Sequence, residues 1–466
     1  MSFVIYDVET TGLNKRFDQI LHFGAVLADE NLYELERIEL RSRLLSNVVP
    51  SPNALHLTGV SIEEITDGSR PSHYEMVCEI HKALTAWSPA VFLGFNSIRF
   101  DEEFLRQAFY QCLHPTFLTN TNNNARADVL NLMRAVAVLR PGVLSVPTDD
   151  DGKPIFRLAE LAAANGFAAR RAHNAMADVD VTLRLCRKVR QDAPELWSNF
   201  LRFASKAAVV EFVREEPAFG YFDNFGGTRC VRPLTRIGIS PSDANVHYCL
   251  DLIADIEDLR RLAADDLAER VKGYSSPVRR VKANASPLLC PLWELDLEHL
   301  GHREESDLVR AAMSIQSDSD FTARLTAAAV AAERIFEPSE HVELQIYGKG
   351  WPSSEDIELS RRFHLSPWEE RPGIASQFSD RRFRRLARRL IYFERPDLLS
   401  ETDRAAIDAD IARRIRGDWE SETPWMTIPK ALTELDVMVG ELAAEHQGSL
   451  RTYRNRLLAR QASVSA

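Results

Sequence analysis

An apolar run from Phe3 to Val8 opens the chain and has the length of a buried strand. Residues 19–28 and 33–44 give two more strand patterns, residues 75–87 carry helical spacing, and Ala90 to Phe95 is again strand-like. Helical periodicity follows at 101–112, at 127–139, at 157–165, where Gly166 stands as the C′ residue, and at 174–190. A three-strand meander that leads into strands alternating with helices predicts a mixed sheet covered on both faces. After residue 194 the pattern changes. The stretches RCVRPLTRIGIS and NVHYCLDL and the segment Pro277 to Leu295 read as strands between Pro, Ser and Asp turns, with helical stretches at 256–272 and 305–334. From Trp351 onward helices are predicted at 353–364, 379–393, 401–416 and 428–461. The expected division is therefore 1–190 as an α/β unit, 194–347 as a small β-rich domain with added helices, and 350–466 as an all-α C-terminal domain.

Length and composition narrow the class. A chain of 466 residues, 45% apolar and 27% charged, has ample material for several packed cores and lies far from the disordered corner of composition space. Six cysteines without a C-x-x-C pair support neither a disulfide framework nor a zinc knuckle, so a reducing compartment, the cytoplasm, is expected. The N-terminus has no basic segment before its apolar run, and no later stretch nears 18 uncharged apolar residues, so neither secretion nor membrane spanning is expected. The net charge of −11 argues against indiscriminate coating of nucleic acid, yet residues 351–466 hold 19 basic against 19 acidic side chains. The acidity belongs to the front of the chain.

Three strings carry chemistry. In Asp7-Val8-Glu9-Thr10-Thr11-Gly12, residues i and i+2 of a strand share a face, so Asp7 and Glu9 present two carboxylates side by side. Such a pair suits Mg²⁺ or Mn²⁺, although two acids at a strand end entering solvent have the same appearance. Asn96-Ser97-Ile98-Arg99-Phe100-Asp101 follows a strand and opens a helix, where Asp101 is placed to act as a simple cap. In His173-Asn174-Ala175-Met176-Ala177-Asp178-Val179, Asp178 falls in the first turns of a helix beside a sheet-facing apolar stripe, and His173 precedes it by about a turn, where a plain surface histidine is the alternative.

Taken in order, D-x-E on the first strand, an Asp after a later strand and H-x4-D at a following helix resemble the histidine-containing branch of the DEDD 3′→5′ exonucleases. The strings Leu93-Gly94-Phe95-Asn96, Arg99-Phe100-Asp101, Ala137 through Pro141, Asp150-Asp151-Gly152, Phe156-Arg157-Leu158 and Ala172 through Val179 are similar to the bacterial exonuclease I family within it. So are Leu344-Gln345-Ile346-Tyr347 and the Arg-rich helix near 381–389. DVETTG departs from that family and is closer to the proofreading and RNase T members.

The resemblance implies an RNase H-like exonuclease domain, an SH3-like β domain and an all-α C-terminal domain. It implies that Asp7, Glu9, Asp101 and Asp178 converge on two Mg²⁺ ions, with Mn²⁺ as a possible substitute, and that His173 is the general base. Glu9 and Arg157 are implied to contact substrate, with a structural salt bridge as the alternative use of Arg157. The activity implied is 3′→5′ hydrolysis of single-stranded DNA to 5′-mononucleotides in repair and recombination, by a monomer bound by the acidic tail of single-stranded DNA-binding protein. An exoribonuclease is the alternative within the same chemistry, and a non-catalytic nucleic-acid-binding scaffold the alternative outside it. The presence of all four carboxylates and the histidine counts against the scaffold. Two surfaces stay open to either use. The aromatic cluster Ala218 to Gly227 suits base stacking or packing at a domain junction, and Arg381, Arg384, Arg385 and Arg388 suit binding or a solvated helix face.

Overall fold

The computed structural model describes all residues except 168–173, 224–230, 274, 334–338, 349, 418–422, 442–447 and 466. The first sheet contains β1 (Phe3–Thr10), β2 (Ile20–Ala28), β3 (Glu34–Arg41), β4 (Val91–Gly94) and β5 (Ala125–Asp128) in the order β3-β2-β1-β4-β5. β1, β2 and β3 pair antiparallel, whereas β4 runs parallel to β1 and β5 parallel to β4. This is the mixed sheet that the meander followed by strand–helix alternation predicts.

The parity of β1 decides what lies on each face. Phe3 and Ile5 pack into a core with the helices Val129–Leu139, Ala175–Asp192 and Pro194–Arg202, while Val4, Tyr6 and Val8 pack with the helices His73–Ala86 and Asp101–Gln111. Asp7 and Glu9 continue the parity of Phe3 and Ile5 and so face the helix that carries Asp178.

A second sheet, antiparallel throughout, contains β6 (Phe219–Phe222), β7 (Val231–Ile239), β8 (Val246–Asp251), β9 (Val278–Lys282) and β10 (Leu288–Pro291) in the order β10-β6-β7-β8-β9. The helices Glu305–Ser317 and Ser319–Ala331 cover it, and its core is continuous with one face of the first sheet. The C-terminal region is helical and packs on the opposite face through Leu359, Phe363, Leu386 and Leu390.

Several predicted elements divide differently in the structure. The helix predicted over 127–139 begins at Val129, because Asp128 ends β5 and accepts from the Leu130 amide as N-cap. The stretch 305–334 breaks at Asp318, whose carboxylate caps the second of two helices by accepting from the Phe321 amide. The stretch 256–272 likewise forms two helices, Ile256–Arg261 and Ala264–Arg270, and 428–461 forms Ile428–Glu441 and Gly448–Ser465. The region after 194 opens with two helices, Pro194–Arg202 and Lys206–Glu215, before its first strand. Their apolar residues Leu196, Trp197, Phe200, Val209 and Phe212 join the core beneath the second sheet. Among the described residues, no helix is long and apolar enough to cross a membrane.

Candidate active site

Ligand oxygens of Asp7, Glu9 and Asp178 all lie within 4.8 Å of one another. Each reaches that point for a local reason. Asp7 and Glu9 share the helix-facing side of β1 by parity. Asp178 sits in the first turn of Ala175–Asp192, whose N-cap Asn174 accepts from the Ala177 amide at 3.2 Å. The helix comes close because Gly24 on β2, directly opposite Asp7, has no side chain: a Cβ there would lie 2.9 Å from the Met176 nitrogen.

Asp101 approaches from the other edge of β1. β4 pairs with β1 only as far as Ile5 and Leu93, which leaves the Val8 amide beyond the ladder. That amide donates to Asp101 Oδ1 at 3.0 Å, so the carboxylate closes a strand edge rather than capping its own helix. The N-cap position belongs to Phe100, which makes no side-chain capping bond. The chain turns sharply after β4, and Gly94 is required there, since a Cβ would lie 2.5 Å from Ser97 Cβ and 2.9 Å from the Tyr6 carbonyl oxygen.

The electrostatics of this cluster are those of acids packed against one another. Burial, then Asp101, Glu9 and Asp178, holds the Asp7 carboxyl well above the usual range. Burial and the neighbouring acids Asp178 and Asp101 push Glu9 up to about 8, with Arg41 opposing. Asp101 is pushed up to about 7 by burial despite the hydrogen bond from Val8. Carboxylates packed this way repel one another unless a cation lies among them, and a set made only of hard oxygen donors fits Mg²⁺ or Mn²⁺.

Two buried acids that the sequence pattern does not single out hold the site in place. Asp128 accepts from the Asn96 amide at 2.8 Å and the Ile98 amide at 3.2 Å, pinning the turn between β4 and Asp101. Asn96 itself is left-handed, with φ of 60°. Glu102, wholly buried, receives Tyr6 Oη at 3.0 Å, Thr119 Oγ1 at 2.6 Å and Arg126 Nη1 at 2.6 Å, and Arg106 Nε lies 2.9 Å away. The available signal for Asp128 is an acid at a strand end before an amphipathic helix. For Glu102 it is an acid on the apolar side of the Asp101 helix, where a charge requires partners.

The other predicted positions fall as follows. His173 lies outside the described residues. Arg157 stands at the N-cap of Leu158–Ala164, 77% exposed, with Nη1 3.0 Å from Glu160 Oε1. In the aromatic cluster, Phe219 and Phe222 are buried, and Tyr221 donates to Asp223, which in turn binds Arg99. That is junction packing, while Asn224 to Gly227 lie outside the described residues. Of the four exposed arginines on the helix Arg381–Glu394, Arg384 donates to the Phe378 carbonyl, Arg385 to the Glu340 carbonyl, and Arg388 pairs with Asp403.

Comparison with known proteins places this geometry in context. A family profile described as Exonuclease (RNase T) matches residues 4–186. Exodeoxyribonuclease I of Escherichia coli strain K12 is 27% identical over 405 residues, covering 83% of this chain and 84% of that protein. The fold is similar to that of E. coli exonuclease I in complex with a dA16 oligonucleotide, with a TM-score of 0.88 at 24% identity over 99% of both chains. It is also similar to a zinc-bound form of the E. coli exonuclease I–single-stranded DNA complex, with a TM-score of 0.87 at 22% identity over 100% of this chain and 99% of that one.

Proposed function

The chain belongs to the exonuclease I family, and from that premise we propose that it is a divalent-cation-dependent exonuclease removing 5′-mononucleotides from the 3′ end of single-stranded DNA. The observation that carries this proposal is the convergence of Asp7, Glu9 and Asp178 oxygens within 4.8 Å, with Asp101 bound to the same strand. These four side chains would hold two Mg²⁺ ions, or Mn²⁺ in their place. When bound, such a pair lowers the pKa of the attacking water and stabilises charge on the leaving oxygen. The protein's own part is geometric and protolytic. Val8 and Asp128 fix the path from β4 to Asp101, and Gly24 admits the helix of Asp178. His173 takes the water proton, an imidazole being a side chain that can act as base at neutral pH. Glu9 and Arg157 face the terminal nucleotide and its phosphate, the guanidinium through its forked donors. We assign residues 1–190 to the exonuclease domain, 194–347 to an SH3-like domain and 350–466 to a helical domain. The proposed setting is DNA repair and recombination in the cytoplasm, as a monomer that meets the acidic tail of single-stranded DNA-binding protein.

The test is digestion of matched single-stranded DNA, duplex DNA and RNA labelled at either end, with Mg²⁺. Single-stranded DNA labelled at the 3′ end should lose its label at once as a mononucleotide, and the 5′-labelled strand should shorten progressively. Equal or faster loss of RNA would instead make the protein an exoribonuclease, and binding without cleavage a scaffold. His173→Ala should lower kcat by about 10²–10⁴-fold, and the wild-type rate should fall below about pH 6.5 as the imidazole protonates.

A further inference from the structure

A second group of ligating side chains lies on the opposite face of the first sheet from the carboxylates. Cys78 projects from His73–Ala86, His114 lies just beyond Asp101–Gln111, and His364 occupies the last turn of Ser354–Leu365. One ligand atom from each lies within 4.8 Å of the others. His114 Nε2 is 3.4 Å from Cys78 Sγ, close to the separation of about 3.5 Å that two tetrahedral ligands take at Zn–N and Zn–S bond lengths. The hydrogen bonds around His364 fix its tautomer. Its Nε2 lies 3.3 Å from the Leu113 carbonyl oxygen, which can only accept, so Nε2 carries the proton and Nδ1 keeps a lone pair. Tyr74 Oη, which itself accepts from Arg371, lies 2.9 Å from that Nδ1 and donates to it. A carbonyl that orients the remote nitrogen of a histidine is the usual outer support of a metal ligand.

We propose that Cys78, His114 and His364 form a binding site for Zn²⁺ or a similar borderline ion, separate from the carboxylate cluster, that clips the helix Ser354–Leu365 to the nuclease fold. The donor set, one sulfur and two imidazole nitrogens, belongs to a different class from the all-oxygen site, and Mg²⁺ competes poorly for it. Both histidines are held neutral, as ligands must be. Burial pushes His114 down, and brings His364 down to about 4. Burial also raises the Cys78 thiol to about 11, so binding must release its proton. The imidazoles of His114 and His364 stack with centroids 3.9 Å apart and planes 5° apart, which leaves their lone pairs in parallel planes. One ring must therefore turn to make the lone pairs converge. His81 stacks on His114 as well, with centroids 4.2 Å apart, and a cavity of about 740 Å³ borders all three rings. Three protein ligands leave the fourth position for water or for Tyr74.

The experiment uses the full-length protein, stripped by chelator and then titrated with Co²⁺ in excess Mg²⁺, so that the carboxylates are already occupied. Expected is one Co²⁺ per chain with tetrahedral d–d bands and a thiolate-to-cobalt charge-transfer band, lost in Cys78→Ser, weakened in His364→Gln and displaced by Zn²⁺. Nuclease activity of Cys78→Ser in Mg²⁺ should be unchanged. A wild-type protein without the sulfur band, or a Cys78→Ser variant that keeps it, overturns the proposal. Should the variants fail to fold, alkylation of wild-type Cys78 by iodoacetamide, located by mass spectrometry, decides the matter. Zn²⁺ should slow it at least tenfold, and an unchanged rate refutes the site.

Discussion

Asp101 and Glu102 are consecutive, both carboxylates and both buried, yet their surroundings are opposite. Asp101 faces β1 and the other site acids and is pushed up to about 7, while Glu102 faces Arg106 and Arg126 and is held below the usual carboxylate range. Glu343, in the C-terminal half, repeats the second pattern. It is buried between Arg389 at 2.6 Å and Arg414 at 2.8 Å and held well down. Burial alone therefore does not mark a functional acid. The acids that the protein neutralises with its own arginines are structural joints, and those it leaves facing one another require a cation from outside.

The largest expected effect breaks the comparison at the site. Asp7→Asn should reduce hydrolysis to the assay background while leaving DNA binding measurable in Ca²⁺, because a lost ligand removes the activated water and not the groove. In thermal unfolding, Mg²⁺ at a hundred times its Kd should stabilise wild type by about 2.7 kcal/mol and this variant far less. Substantial activity in Asp7→Asn would end the assignment of the carboxylates.

Glu102→Gln tests the other member of the pair. Removing the charge leaves buried Arg126 without its acid and Arg106 with only Glu103, which should cost about 3–5 kcal/mol of stability whether or not Mg²⁺ is present. A loss that Mg²⁺ reverses would mean that Glu102 belongs to the cation site after all.

Much of the site is legible in the sequence because it depends on local rules. Strand parity places Asp7 beside Glu9, and the spacing from Asn174 to Asp178 is that of an N-cap and a first-turn acid. What is not legible depends on neighbours distant in sequence. Asp101 looks like a helix cap, and only the register of β4, which stops pairing with β1 at Leu93, shows why its carboxylate goes to Val8 instead. Asp128 falls inside a predicted helix, since ARAD has little strand character and its pairing with β4 supplies the strand. The helices at 194–215 escape the sequence pattern because the strand-like runs after them dominate that region. Tyr74, Cys78 and His81, at positions i, i+4 and i+7, read only as one side of a helix, and no local pattern could pair Cys78 with His364, 286 positions away in the chain.

Glu343 sharpens the comparison through pH. Its folded pKa lies below the unfolded carboxylate value near 4.5, so its contribution is fully present above that value and is lost as pH falls through the folded one. Wild type should thus lose stability as pH drops below about 4.5, and Glu343→Gln should show a shallower slope there. At neutral pH the variant should be weaker by about 3–5 kcal/mol, since Arg389 and Arg414 would be left without their shared acid. Urea denaturation at a series of pH values measures both. Identical slopes below about pH 4.5 would show that Arg389 and Arg414 do not hold the Glu343 carboxylate in its charged form.

The smallest effect is expected from the surface arginines. Arg384 and Arg385 are turned onto backbone carbonyls, and Arg388 onto Asp403, so three of the four already make bonds within the chain. Exposed pairs of this kind contribute about 0–1 kcal/mol each. Neutralising Arg381, Arg384, Arg385 and Arg388 together should therefore leave hydrolysis of short oligonucleotides unchanged, and alter that of long strands by no more than about twofold. If the stripe instead grips the strand, long substrates should suffer selectively. The slope of log K against log salt should then flatten by about 0.7 for each phosphate of a single strand that is no longer neutralised. A flattening of two or more would place the DNA path across this helix. An unchanged slope would leave the stripe as a solvated face whose arginines mainly secure the turns on either side of it.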